Sequence, residues 1–427
     1  MKTIINPPKS TWSQLLQRPT KTVDDIEKTV TEIFTEVKKE GDKAVQKYTQ
    51  LFDGVTLENN LVSEAEIEEA VSLVSDELKE AIILANKNIT VFHNAQKTNK
   101  VFVETTKGVE CWQEKRPIQK VGLYIPGGTA PLFSTVLMLA IPAQIAGCKE
   151  IVLCSPPNKE GKIHPAILFT AKLCGVTKII KVGGIQAIAG LTFGSATIPQ
   201  VYKIFGPGNQ YVTVAKQLAT KFGVAIDMPA GPSELLVVAD ESANASFVAS
   251  DLLSQAEHGI DSQVILVSTS KDFISEVSIE ITKQVLDLPR VEIAQKAIAN
   301  STSIFVETDE IALDLINEYG PEHFIVCTNN NDYYVDNIAN AGSVFIGNYT
   351  PESAGDYASG TNHTLPTNGF TKAYSGVNLD SFMKSITFQK ISKEGINTIG
   401  KSIEIMAAAE GLQAHKNAVT LRLNDLK

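Results

Sequence analysis

The sequence predicts an α/β protein with two Rossmann-like, incompletely doubly wound domains facing across a cleft, a helical N-terminal region and a C-terminal helical tail. Three observations carry this prediction. The first hundred residues place apolar side chains at helical spacing, short β-branched runs alternate with helical stretches from Lys120 onward, and a second series of the same texture begins at Glu234. At 427 residues the chain is too long for one ordinary core and long enough for two or three domains.

Taken in order, residues 22–52 carry Val23, Ile26, Val30, Ile33, Val37, Val45 and Tyr48 on a helical period, with Gly41 as a break. Ser63 and Glu66 form a capping box ahead of Ile67, Val71, Val74, Leu78 and Ile82. Buried parallel strands are expected at 120–125, 150–154, 178–182, 201–205 and 224–226, with helices such as 136–146 and 210–222 between them. Parallel strands need such crossovers. The second series places strands at 234–239, 263–268, 303–307, 323–327 and 343–346. After Phe370 the strand signal fades, and 390–426 reads as helix. The expected organisation is an arm over 1–25, a helical part over 26–118 joined to the second α/β unit, α/β domains over 119–233 and 234–375, and a tail over 376–427.

Composition narrows the function. A formal charge of −10 without a basic block excludes a nucleic-acid partner, since such binding neutralises phosphates with clustered cations. The longest apolar run, 132–146, is broken by Pro142 and falls short of a membrane span. Residues 1–17 carry Pro7, Pro8 and polar side chains where a secretion signal needs an apolar stretch, so a cytoplasmic location is expected. The five cysteines show no CxxC spacing and read as reduced, mostly buried thiols.

Of six histidines, His93 and His164 fall on ordinary helical stretches and read as structural or exposed. His258, His323, His363 and His415 all lie after residue 250 in polar, acid-rich surroundings. Gln255 and His258 are three apart at a helix end, a spacing that suits two ligands to one ion, with Glu257 on another face. Taken alone the pair is weak, because Gln is a poor zinc ligand. Asp356 stands in a stretch with two glycines and two serines that reads as a loop. It could join an N/O site for zinc or manganese, or equally serve as a turn residue. Glu322 and His323 at a strand start could share proton work, or form a surface ion pair. No G-x-G-x-x-G follows the first strand. Instead Tyr124-Ile-Pro-Gly-Gly128, Val182-Gly-Gly-Ile-Gln186 and Phe205-Gly-Pro-Gly-Asn209 follow strands, which favours a phosphate-bearing cofactor approaching backbone N–H groups.

In these residues the chain resembles the histidinol dehydrogenase family, from about residue 25 to residue 424. The resemblance centres on Ile226-Asp-Met-Pro-Ala-Gly-Pro-Ser-Glu234 and continues through Ser254-Gln-Ala-Glu-His258. Tyr-Gly-Pro-Glu-His at 319–323, Gly-Asp-Tyr at 355–357, Gly-Thr-Asn-His at 360–363, Glu410 and His415 match in order, and the N-terminal arm is the least family-like part. The resemblance implies one Zn²⁺ per subunit held by Gln255, His258, Asp356 and His415. It implies Glu322 and His323 as the proton-transfer pair, and Ser233, His363 and Glu410 as further contacts to L-histidinol. Tyr124, Gln186 and Asn209 match the family's NAD contacts, which assigns 119–233 to NAD and 234–375 to zinc and catalysis. A homodimer is also implied, the C-terminal tail of one subunit completing the other's site. The competing classes are a zinc hydrolase, with Glu322 activating a metal-bound water, and a non-catalytic binding module. The glycine-bearing strand ends favour the dehydrogenase.

Overall fold

The computed structural model describes residues 1–19, 24–127, 130–229 and 231–427, with Asp24 and Asp25 in backbone only. Thr22, Val23, Gly128 and Ala230, which enter the expectations above, lie outside the described residues. The chain forms two units, Met1–Gln96 with Gln119–Phe382, and Lys97–Ile118 with Met383–Lys427.

Among the described residues the first strands are β1 (Lys2–Ile5), β2 (Val101–Thr106), β3 (Val109–Pro117), β4 (Lys120–Tyr124), β5 (Glu150–Cys154), β6 (Lys178–Ile180) and β7 (Lys203–Phe205). There follow β8 (Ala225–Ile226), β9 (Glu234–Ala239), β10 (Gln263–Ser268), β11 (Thr302–Phe305), β12 (His323–Cys327), β13 (Ser343–Ile346) and β14 (Met383–Ile391). The larger unit holds two parallel sheets, ordered β6-β5-β4-β7-β8 and β1-β11-β10-β9-β12-β13.

β9 shows why the second sheet is covered on both faces. All six of its residues are buried, and successive side chains point to opposite sides. Leu235, Val237 and Ala239 join a core with the helices Ala245–Ala256, Lys271–Gln284 and Val291–Ala299. Leu236 and Val238 join another with the helix Asp309–Tyr319 and with Trp12 and Leu16. The expected arm therefore belongs to this sheet, with β1 pairing alongside β11. β1 escaped the sequence pattern because it is a short, largely exposed edge strand.

Within segment 26–118 the first helices pack on the first sheet, while Asn88 of the helix Asp76–Ala95 donates to the Ala358 carbonyl at 2.8 Å. Ile26, Val30, Ile33 and Phe34 of the helix Asp24–Glu40, with Val45 and Tyr48 of Asp42–Asp53, share a core with Val152, Ile188 and Ile204 of the first sheet and its helices. Gly41 separates the two helices at φ +57°, a left-handed conformation that glycine adopts without a Cβ clash. The capping box at Ser63 and Glu66 is present. Several strands are shorter than expected: β4 ends at Tyr124, β6 at Ile180, and β7 begins at Lys203. Ile125, Val182 and Val201 are buried beyond those ends, so apolar character outlasts the ladder.

The smaller unit corrects the picture of a purely helical tail. β14 pairs antiparallel with β3 over nine residues, β3 pairs with β2, and the helices Lys393–Ala409 and Gln413–Asn424 follow. β14 alternates apolar and polar residues, as in Ile386, Thr387, Phe388 and Gln389, and stays mostly exposed, so it lacks the dense apolar runs of the parallel strands. Trp112 stacks on Phe388 at 5.3 Å between ring centroids. All five cysteines are free thiols, with Cys154, Cys174 and Cys327 buried.

Candidate active site

The turns at the C-terminal ends of the first sheet line a cavity of about 1200 Å³ with Tyr124, Gly127, Gly184, Gln186 and Asn209. Open parallel sheets bind ligands at this edge. Tyr124 closes β4, and its hydroxyl accepts from the Gly184 N–H at 3.2 Å. Burial pushes the Tyr124 phenol up to about 12. Asn209 caps the helix Gln210–Thr220, its Oδ1 accepting from the Val212 N–H at 3.1 Å. Gln186 is fully buried, and neither polar atom of its amide has a partner. A buried amide left unpaired is costly, so it is a group in want of a ligand. The turn at Gly206 is fixed from three sides. At φ +128° a Cβ would stand 2.1 Å from the Tyr124 carbonyl oxygen. The Gly206 N–H donates to Asp227 at 2.8 Å, and its carbonyl accepts from Lys216 at 2.7 Å. Lys216 and Asp227 are themselves a buried ion pair at 2.5 Å.

A second constellation stands where β12 begins. Glu322 and His323 are 7% and 4% exposed, which removes the surface ion-pair reading. The Glu234 backbone holds both: its N–H donates to Glu322 Oε2 at 2.8 Å, and its carbonyl lies 3.3 Å from His323 Nδ1. His323 Nδ1 is also 3.6 Å from Glu322 and 3.8 Å from Glu352. Nε2 faces Asp356 at 3.5 Å and makes no hydrogen bond.

Asp356 is not in a loop. It sits in the last turn of a short helix, Glu352–Tyr357, which starts directly after Pro351. Helical spacing sets Glu352 and Asp356 on one face, four residues apart, both toward His323. Glu352 is the residue the sequence reading passed over, and that spacing was its signal. Its side chain is buried and Oε2 has no partner. With its NH₂ turned toward Glu352, the Gln255 amide donates to Oε1 and accepts from the Glu234 N–H at 3.3 Å.

His363 is fixed by Thr135, 3.1 Å from Nε2, and by the Asp356 carbonyl, 2.9 Å from Nδ1. Burial holds its imidazole below the usual range. His93 is structural, as expected: it is buried, with Nδ1 2.8 Å from the Ile89 carbonyl and Nε2 3.3 Å from the amide of Asn362, next to His363. His164, exposed as expected, caps the helix Pro165–Leu173, its Nδ1 accepting from the Ala166 N–H at 3.2 Å, and lines the large cavity. Ser233 is half-buried just before β9, Glu257 is half-buried, and His258 is exposed beyond the helix Ala245–Ala256. Gln255 reaches Glu352 on the short helix that also carries Asp356, the two helices packing together, and the charge of His258 acts on Asp356. Glu410 and His415 belong to the smaller unit, where both are exposed.

Burial opposes charge on His323, but the carboxylates of Glu352, Glu322 and Asp356 outweigh it and hold the imidazole well above its ordinary 6.5. Burial, reinforced by Asp356 and Glu322, pushes Glu352 up to about 8. Burial opposes charge on Asp356, but the facing His323 imidazole, 3.5 Å away, overcomes it and holds the carboxyl below its usual value. His323, Glu352 and Asp356 offer ligand atoms within 4.8 Å of one another, and two of those side chains carry an unpartnered polar atom. This nitrogen-and-carboxylate set, flanked by Gln255 and His258, fits a divalent cation.

Without a cation these shifts set a pH dependence. His323 with a raised value contributes stability fully present below 6.5 and lost as pH climbs through its folded value. Glu352 likewise binds its proton more tightly folded than unfolded, so its contribution falls between 4.5 and about 8. Asp251, raised by burial to about 7, has the same sign, while Asp356 titrates below this window. Chelator-treated protein should therefore melt at a higher temperature near pH ~6 than near pH ~8, with Glu352→Gln flattening the slope. A melting temperature that rises over that interval contradicts the arrangement.

Among the described residues, no helix is long and apolar enough to cross a membrane. The histidinol dehydrogenase family model matches residues 16–423, beginning earlier than the resemblance read from the sequence. The chain is 60% identical over 427 residues to a histidinol dehydrogenase of Bacteroides thetaiotaomicron, with 100% of both chains covered. A relative of the same name from Bacteroides fragilis is 58% identical over 427 residues, again covering 100% of each. A crystal structure of histidinol dehydrogenase from Elizabethkingia anophelis superposes with a TM-score of 0.98 at 57% identity, covering 100% of this chain and 98% of that one.

Proposed function

The chain belongs to the histidinol dehydrogenase family, and on that premise we propose that it oxidises L-histidinol to L-histidine through L-histidinaldehyde. The balance is one histidinol, two NAD⁺ and one water giving histidine, two NADH and protons. The observation that carries this reading is that a glycine-turn cavity and a buried acid–imidazole cluster occur in one unit. They are linked by the helix Phe133–Ala146, which begins beside the cavity-lining Pro131 and carries Thr135 to His363.

Gln255, His258, Asp356 and the partner subunit's His415 would hold zinc. The ion would supply a fixed positive charge that orients the substrate's amine and imidazole nitrogens and favours the neutral, proton-accepting form of His323. Tyr124, Gln186 and Asn209 would bind NAD⁺, which supplies the hydride acceptor. With Nδ1 facing the Glu234 carbonyl, His323 presents Nε2 as its free nitrogen, and this atom takes the alcohol proton. Glu322, fixed by the Glu234 N–H, takes a proton from water as the aldehyde is hydrated for the second oxidation. Ser233, His363 and Glu410 grip the polar groups of the substrate. The exposed Glu410 and His415 act in a homodimer, reaching the partner's site.

The test is absorbance of NADH on adding histidinol to the zinc-loaded enzyme with excess NAD⁺. The proposal requires two NADH per histidinol consumed. Histidinol turned over without NADH would favour the hydrolase, and no turnover by zinc-replete protein would favour a binding module.

A further inference from the structure

We propose that Arg18 is a positioning residue for Glu322 and His323, acting through Glu234. The inference rests on the reading that these two residues carry the proton transfers. Both are held by the backbone of one residue, Glu234, which donates to Glu322 at 2.8 Å and offers its carbonyl to His323 at 3.3 Å. What fixes Glu234 is therefore what fixes the pair.

Its carboxylate is 1% exposed, and Arg18 grips it through two parallel bonds, Nε to Oε1 at 2.7 Å and Nη2 to Oε2 at 2.9 Å. Such a fork sets orientation as well as charge. The same Nη2 donates to the carbonyls of Tyr319 at 2.8 Å and Gly320 at 3.3 Å, and the guanidinium lies 4.0 Å over the Tyr319 ring. Tyr319 and Gly320 open the turn that runs directly into Glu322 and His323. One guanidinium thus ties the start of β9 to the start of β12, the two strand ends between which the proton-transfer groups are suspended. Three more hydrogen bonds brace the clamp: the Asn368 N–H donates to Glu234 Oε1 at 2.6 Å, and Gln263 joins the Gln17 carbonyl at 3.1 Å to the Tyr319 hydroxyl at 2.9 Å. Misplacing a catalytic group by a fraction of an ångström is enough to slow a reaction whose substrate still binds. Arg18 lies in the arm that the sequence reading set apart, yet the family match includes it.

The experiment is a double-mutant cycle on the zinc-loaded enzyme, with Arg18→Gln made in the wild-type and in the His323→Asn backgrounds. Alone, Arg18→Gln should lower kcat about tenfold or more with the histidinol KM within about threefold; on His323→Asn its cost should be at least about threefold smaller, because the part of its effect that passes through His323 is already removed and only the part through Glu322 remains. Equal losses in both backgrounds, or wild-type kcat in Arg18→Gln, overturn the proposal. If the Gln variant does not fold, Arg18→Lys, which keeps the charge but not the fork, is run through the same cycle and read the same way. A His323→Asn enzyme with wild-type turnover would instead sink the underlying proton-transfer reading. An inactive His323→Asn with equal Arg18 losses sinks only the role of Arg18.

Discussion

Replacing His323 by Asn should slow histidinol oxidation by about 10²–10⁴-fold, the range a positioned base commands, while the zinc content of the protein stays unchanged. The Asn amide can still donate toward the Glu234 carbonyl, so the nitrogen facing β9 keeps a counterpart. What it lacks is the second ring nitrogen, the one atom of His323 with no partner. The substitution therefore separates proton transfer from packing and from metal binding. Kinetics paired with metal analysis decide it. If zinc is lost with the imidazole, His323 belongs to the ligand set beside Glu352 and Asp356, whose ligand atoms lie within 4.8 Å of its own.

His258→Asn should be comparably damaging by another route. His258 is exposed and close enough to Asp356 to affect its titration, so its loss leaves the fold intact and removes a candidate ligand. The expected result is a protein of wild-type melting temperature with reduced zinc occupancy and turnover lower by at least the ~10–100-fold that outer-shell partners of a metal command. Full zinc occupancy in this variant would take His258 out of the ligand set.

The elements legible in the sequence were those whose pattern is dictated by burial. β9, β10 and β12 have their expected limits because strands buried along their whole length are predominantly apolar, and the partly exposed edge strand β13 is read from its run of Val344, Phe345 and Ile346. β2, β3 and β14 were not legible, since half-exposed strands mix in lysine, glutamate and glutamine and lose the signal. In the site, Gln255 and Asp356 could be picked out by residue type, but Glu352 could not, because glycine and serine around it pointed to a loop and hid its helical spacing with Asp356. The clamp of Arg18 on Glu234 spans 216 residues and has no local signature. Burial of Glu322 and His323 was likewise a property of the assembled sheet. The three glycine-bearing turns were readable one by one, while their convergence on one cavity needed the fold.

The most direct measurement mixes two inactive variants. His258→Asn and His415→Asn subunits, dissociated together and allowed to reassociate, form hybrid dimers in which one of the two sites combines an intact His258 with the partner subunit's His415. Random pairing makes about half the dimers hybrid, so activity should return to about one quarter of wild type, together with zinc in those sites. Activity that stays at the level of the parent variants, with hybrid dimers demonstrably present, would mean that the cation is not held between subunits.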